Sequence, residues 1–390
     1  MKKSNNNRNM NSRVCIIRSN PVRPDSRVEK EAWTIQQAGY HVRILSWDRD
    51  SDHDEENGVI TVAGKEIPIT WLGYKAAYNA GMKSIKPYLK FQFHMRRWLE
   101  KHKSEIDIIH ACDFDTAFFS QSKARNKVFV YDIFDFLYGE PKSLLQRTVR
   151  RAQLNIVNRA DATIICTEER NEQIAEAKPK RLAVIHNTPF KEQQTQSNLV
   201  FQSDSKRVKI AYVGILADER LLTAIGHYIS NANDVELHIG GFGPLEEYYK
   251  TLADNNDNIF FYGRIPYNQT LELEKQCDIM VAIYNPSDEN CRLAAPNKFY
   301  ESLMLGKPVI MAKGTGMSRV VEQNDIGELI EFSEEGFEEG LRKLLSRRDE
   351  WPAMSERMKK LYTEQYSWDE MRRRLIDLYE QLSQCKRKKV

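Results

Sequence analysis

Short apolar runs alternating with helical segments constrain this chain most. Only a sheet covered on both faces can bury such runs along their whole length. Arg13 to Ile17 reads as a strand, Arg18 to Arg27 as a polar turn, and Val28 to Ala38 as a helix that stops at Gly39. His41 to Ser46 then alternates like a second strand, which completes one βαβ unit. Further strands are expected at Ile106–Ala111, Lys127–Asp132, Ala162–Thr167 and Leu182–Ile185, and the acidic run Asp50–Asn57 as a solvated turn. Lys191 to Lys206, rich in Gln, Ser and Asn, has linker composition. The alternation restarts at Val208–Val213 and recurs at Val235–Ile239, Asn258–Tyr262, Ile279–Ile283, Pro308–Met311 and Gly327–Ile330. The fold class expected is α/β, with two Rossmann-like doubly wound domains facing each other, residues 13–190 and 207–365. Residues 191–206 link them, and 366–390 supply a last helix and a basic tail.

Composition narrows the function classes. A chain of 390 residues holds two domains, and a net charge of +3 is too small for a dedicated nucleic-acid binder. The cysteines at 15, 112, 166, 277, 291 and 385 form no CxxC pair, which suits reduced thiols in a cytoplasm. The histidines show no metal-type spacing, so no metal site is expected. Residues 1–12 lack an apolar core and read as disordered, not as a signal peptide. No run approaches the roughly 18 apolar residues of a membrane span.

The segment Ala294–Ala312, AAPNKFYESLMLGKPVIMA, carries the most chemistry. It predicts a short helix from Pro296 or Asn297, ended at Gly306 in a left-handed conformation, then a buried strand after Pro308. The open N–H groups of that helix start suit a phosphate, and Glu301, in or near the first turn, could accept from a sugar hydroxyl. Glu301 could equally do no more than complement the helix dipole. Gly214, Gly241, Gly243 and Gly263 each follow an apolar strand, where glycine lets backbone amides approach a diphosphate. Lys298 and Arg220 are the cations placed to neutralise it; their alternative is a surface salt bridge.

These motifs resemble the retaining glycosyltransferases of GT-B fold in family 4, the glycosyl transferases group 1. Members often carry P-x-K-x-x-E-x-x-x-x-G-x-P-V-I, matched by Pro296, Lys298, Glu301, Gly306, Pro308, Val309 and Ile310. KIAYVG (209–214), LHIGGFGP (237–244) and IFFYGRIP (259–266) follow the family order. The resemblance implies a nucleotide-diphosphate sugar as donor substrate, with Asn297, Glu301 and the glycines around it and Glu301 on the ribose. It further implies no cofactor or metal, retention of configuration, and a last helix that packs on the first domain. The chain departs from the family at two places. Many members have a glutamate eight residues before the one matched by Glu301, where this chain has Leu293, and Asp288 or Glu289 are the nearby substitutes. A catalytic-site histidine of the family falls at Phe134.

In the first domain, His110, Asp113 and Asp132 follow strands and are the candidate polar residues for an acceptor. Each also has a structural alternative, as a turn former or a core histidine. Met82 to Lys103 is basic with interleaved aromatics, and as a helix from about Pro87 it would set Leu89, Phe93 and Leu99 beside a cationic face. That face suits an anionic membrane, to which KRKK at 386–389 adds charge; an ordinary packed amphipathic helix is the alternative.

The function expected is transfer of a sugar to a saccharide or lipid-linked acceptor, in bacterial surface polysaccharide or glycolipid synthesis. The enzyme would be cytoplasmic, at or near the inner face of the membrane, with no nucleic-acid partner. A GT-B sugar-nucleotide epimerase and a non-catalytic nucleotide-sugar-binding relative remain as alternatives.

Overall fold

A computed structural model of the protein describes residues 12–76, 85–190, 198–203 and 205–386. The expectations for residues 1–11, for 191–197 and 204 of the linker, for Met82–Ser84 and for the tail after 386 lie outside the described residues, as does the side chain of Glu289. The chain divides into two compact units. One runs to His186 and takes back the C-terminal helix from Met371; the other is Asn187–Glu370.

The first unit is built on β1 (Arg13–Arg18), β2 (His41–Asp48), β3 (Glu56–Val62), β4 (Lys65–Gly73), β5 (Ile108–Cys112), β6 (Val128–Ile133), β7 (Ala162–Ile165) and β8 (Leu182–Val184). They form one sheet in the order β3-β4-β2-β1-β5-β6-β7-β8. Only β3 runs antiparallel, against β4. β5, β6 and β7 are buried at every position, because helices cover both faces. The helix Ser26–Gln37 starts where Asp25 accepts from Val28 N–H at 3.3 Å while Glu29 accepts from Asp25 N–H at 3.0 Å. That reciprocal cap fixes the entry of the chain after β1.

The β3–β4 hairpin was not expected. The acidic run ends where β3 begins at Glu56, and Ala63 and Gly64 turn the chain with φ of 46° and 73°. A two-residue turn with both φ positive matches the twist of paired strands. Its signal was the alternation of Val59 to Ile69 about Gly64, interrupted by Pro68, which lies just before β4 begins to pair with β2 at Ile69.

The C-terminal helix Trp368–Lys386 buries Met371, Leu375, Leu378, Tyr379 and Leu382, a spacing that makes one continuous face. Tyr40 meets Tyr379 edge-on at 5.4 Å, and its hydroxyl hydrogen-bonds Ser383 Oγ at 3.1 Å. The helix thus belongs to the core of the first unit.

The second unit contains β9 (Val208–Ile215), β10 (Val235–Phe242), β11 (Ile259–Phe261), β12 (Ile279–Val281), β13 (Val309–Ala312) and β14 (Gly327–Ile330). All are parallel, in the order β11-β10-β9-β12-β13-β14. This is the doubly wound Rossmann order, and its direction reverses between β9 and β12.

Candidate active site

Ligands of such sheets sit beyond the carboxyl ends of the strands, at the reversal. In the second unit that place is the end of β9. A Cβ on Gly241 would lie 1.8 Å from the carbonyl oxygen of Gly214, so the ends of β9 and β10 touch backbone to backbone. Gly243 is tied to the chain in the same way: its Cβ would lie 2.6 Å from the carbonyl oxygen of Leu216. Gly263 has φ 62° with open space beside it, and its carbonyl accepts from Gly241 N–H at 2.8 Å. Close strand packing accounts for Gly241 and Gly243 before any ligand is considered.

Gly214 is different. What fills the place of its missing Cβ is the ammonium of Lys298, 2.6 Å from that point. Lys298 is the second residue of the helix Asn297–Leu305, which Pro296 precedes and Gly306 ends at φ 68°, as the sequence predicts. Its side chain is 8% exposed and its Nζ lies 4.5 Å from the centre of the Tyr212 ring. Burial pulls its pKa down, but Tyr212, Tyr284, Glu301 and Glu274 outweigh burial, the net shift is upward, and the group stays charged. Arg220, in the turn Asp218–Arg220 after β9, stacks its guanidinium over Tyr284 at 3.6 Å and donates to Cys291 Sγ at 3.3 Å. Two cations from separate segments therefore gather at one strand end, each braced by a tyrosine. Neither Tyr212 nor Tyr284 was picked out from the sequence, because an aromatic in or after a buried strand reads as core.

Asn297 is exposed and accepts from Asn187 Nδ2 at 3.3 Å. Glu301 is the fifth residue of its helix, just past the first turn, which has no acidic residue. It is 3% exposed and lies against Glu274, Tyr267 and Lys298. Leu293 is a core residue at 4% exposure. Asp288 is exposed and caps the turn that follows it, accepting from Cys291 N–H at 2.9 Å.

In the first unit the strand order reverses between β1 and β5. Arg18 ends β1 and pairs with Asp113, the first residue of the helix Asp113–Ser120. Asp113 stands at φ 67° and its carboxylate accepts from Phe134 N–H at 3.0 Å and Asp135 N–H at 3.1 Å. It therefore fastens the chain after β6 to the end of β5. Burial, opposed by Arg18, pushes its pKa up to about 6. Two guanidiniums lie against the Phe134 ring, Arg18 at 4.3 Å and Arg27 at 4.5 Å from its centre. A ring cannot donate as the family histidine would, but here it braces two cations. Sequence reasoning had placed Arg18 and Arg27 in a polar turn.

His110 and Asp132, candidate acceptor residues by sequence, are both 0% exposed. His110 Nδ1 pairs with the Tyr379 hydroxyl at 2.7 Å and its Nε2 with Asp132 at 3.2 Å; Arg27 donates to Asp132 at 2.7 Å. Burial would raise the pKa of Asp132, yet Arg27 and His110 hold it below the ordinary range. Glu31, beside them, is raised well above the ordinary range by burial and by Asp132. His110, Cys112 and Asp132 offer ligand-type atoms within 4.8 Å of one another. Burial keeps the Cys112 thiol protonated, and both other groups are engaged by protein partners, so the trio fits a structural cluster better than a metal centre.

Two family models match this chain, glycosyl transferases group 1 over residues 194–380 and glycosyltransferase family 4 over 27–188. The chain belongs to the group 1 glycosyltransferases and has the GT-B fold. No curated protein sequence matches it. Among solved structures it is similar to sucrose-phosphate synthase from Thermosynechococcus elongatus (TM-score 0.70, 15% identity, covering 96% of this chain and 100% of that one). It is also similar to HepE of Anabaena in complex with UDP-glucose (TM-score 0.67, 14% identity, 95% and 99%). A third similar structure is a glycosyltransferase from Rickettsia africae (TM-score 0.65, 13% identity, 95% and 98%). Among the described residues no helix is long and apolar enough to cross a membrane.

Proposed function

We propose that the second unit binds a nucleotide-diphosphate sugar and that the enzyme transfers its sugar, with retention, to a saccharide or lipid-linked acceptor recognised by the first unit. The observation that carries this reading is the Lys298 ammonium at the end of β9, with Arg220 nearby. Transition-state charge grows on the departing diphosphate as the sugar carbon gains oxocarbenium character, and fixed cations there stabilise it most. Cations so placed do the work of a metal, so no metal or cofactor is included. Glu301, behind Lys298, is assigned to the ribose. HepE of Anabaena has been solved with UDP-glucose, which makes a uridine donor the first to test.

A second observation favours work at a membrane surface. The helix Ile85–Lys101 buries Phe91, Met95, Trp98 and Leu99 but leaves Ile85, Leu89 and Phe93 exposed, the last at 63%. Those three lie one turn apart beside Lys86, Lys90, Arg96 and Arg97. The expected stripe of Leu89, Phe93 and Leu99 is thus divided: Leu99 packs inward and the other two face out. An apolar row edged with cations suits an anionic membrane and a lipid-linked acceptor of polysaccharide or glycolipid synthesis on the cytoplasmic side.

A thermal-shift screen against UDP, GDP, ADP and TDP and their sugars tests the donor. Ligand at about 100 times its dissociation constant should stabilise by about 2.7 kcal/mol. Stabilisation by none of them removes the donor reading. Release of epimerised nucleotide sugar without acceptor would replace transferase by epimerase.

A further inference from the structure

Glu274 sits on the helix Tyr267–Gln276 and is 0% exposed. Its two carboxyl oxygens are buried, and with every acid ionised neither has a donor among the described residues. What they meet is the carboxyl of Glu301, from the helix Asn297–Leu305. Tyr267, on Glu274's own helix, also reaches Glu301, and Tyr362 lies beyond Tyr267. Among the described residues Lys298 is the cation that acts on Glu274. It already stands at Gly214, over Tyr212.

Two carboxylates side by side in the dry interior, with the Lys298 ammonium acting on both, cannot both stay ionised at neutral pH. One proton shared between them removes the repulsion and turns an unpartnered oxygen of Glu274 into a donor to Glu301. Glu274 is the more enclosed of the two, and burial together with Glu301 raises its pKa well above the ordinary range.

We propose that Glu274 keeps its proton at neutral pH and donates it to Glu301, so that the pair carries one charge and Glu301 presents a carboxylate in one fixed orientation. Glu274 is then a positioning residue for the ribose contact. That consequence rests on the donor-site reading above; the shared proton does not. With Lys298 the group is neutral overall, so the diphosphate meets no net negative charge. Ionising the second carboxyl at high pH would add one.

Two measurements on the full chain decide it. Infrared spectra at neutral pH should show a carboxylic-acid carbonyl band that is lost in Glu274→Gln; the difference isolates Glu274 from the buried Glu31. Calorimetry with UDP, GDP, ADP and TDP should then find the Gln variant near the parent, because its amide still donates to Glu301. Glu274→Leu should bind about tenfold more weakly, the fold-change of one lost hydrogen bond to a charged group. Parent affinity should also fall at the alkaline pH where the band disappears, while the affinity of Glu274→Gln holds. A difference spectrum with no acid band overturns the shared proton. A band with unchanged affinity in Glu274→Leu overturns the positioning role. A band in a protein that binds no nucleoside diphosphate upholds the shared proton and overturns the donor-site reading.

Discussion

The ammonium of Lys298 occupies the space that a side chain at Gly214 would take, 2.6 Å from where its Cβ would be. A residue on a helix start and a missing side chain at a strand end, 84 positions earlier by number, thus form one feature. Gly214→Ala should push Lys298 aside and strain a backbone at φ 156°. Strain of this kind costs about 1–3 kcal/mol. Donor affinity and turnover should fall together in a protein that still folds, measured by steady-state kinetics beside circular dichroism. Parent-like kinetics would mean that the position of Lys298 is irrelevant to donor binding.

Lys298→Ala removes the charge itself. Loss of one donor aimed at developing negative charge costs roughly 100- to 1,000-fold in kcat. Turnover should fall by more than donor affinity does, because the diphosphate charge is largest in the transition state. An equal loss in both, or none, would return Lys298 to a packing role over Tyr212.

Glu301→Ala should weaken nucleotide-sugar binding by about 1.5–3 kcal/mol, the value of a hydrogen bond to a charged group. The comparison is made on a variant shown by circular dichroism to be folded. Titration calorimetry of the folded variant checks this; unchanged affinity moves Glu301 out of the site.

Arg27→Met should destabilise the first unit by about 3–5 kcal/mol, the usual cost of breaking a buried ion pair from one side. The loss has a pH signature. Arg27 holds Asp132 below its ordinary pKa, so the pair contributes above about pH 4, the unfolded value, and fades as pH falls through the folded one. The gap between parent and variant in urea melts should therefore be widest near neutrality and narrow in acid. A gap that is constant with pH would show that packing against Phe134, not charge, is what Arg27 supplies.

The exposed row Ile85, Leu89 and Phe93 should bind anionic vesicles weakly and reversibly. Each nearby cation adds about 1 kcal/mol. Charge reversal at Arg96 and Arg97 should abolish sedimentation, and Phe93→Ala should weaken it. Salt should weaken it as well, as the Debye length falls towards about 3 Å at 1 M. If the parent stays in the supernatant at low salt, the membrane reading fails.

Most of the strand plan was legible because parallel strands buried on both faces, such as β5, β6 and β7, are mostly apolar, and a run of that kind is visible without partners. The helix Asn297–Leu305 was legible down to its left-handed end at Gly306, because capping is local chemistry. The β3–β4 hairpin was missed where its signal was interrupted by Pro68 and preceded by a polar run. His110 and Asp132 carry no mark in sequence that separates a surface residue from a buried one. Only the packing of Arg27, Glu31 and Tyr379 around them, from two distant helices, made them a closed cluster. The same holds for Glu274, which reads as a polar residue on an ordinary helix until Glu301 lies against it. The sequence by itself determined the alternation, the glycine turns and the cation-bearing helix start, since these depend on neighbours along the chain. Tertiary structure decided which charges meet, because burial and pairing depend on residues that sequence distance does not relate.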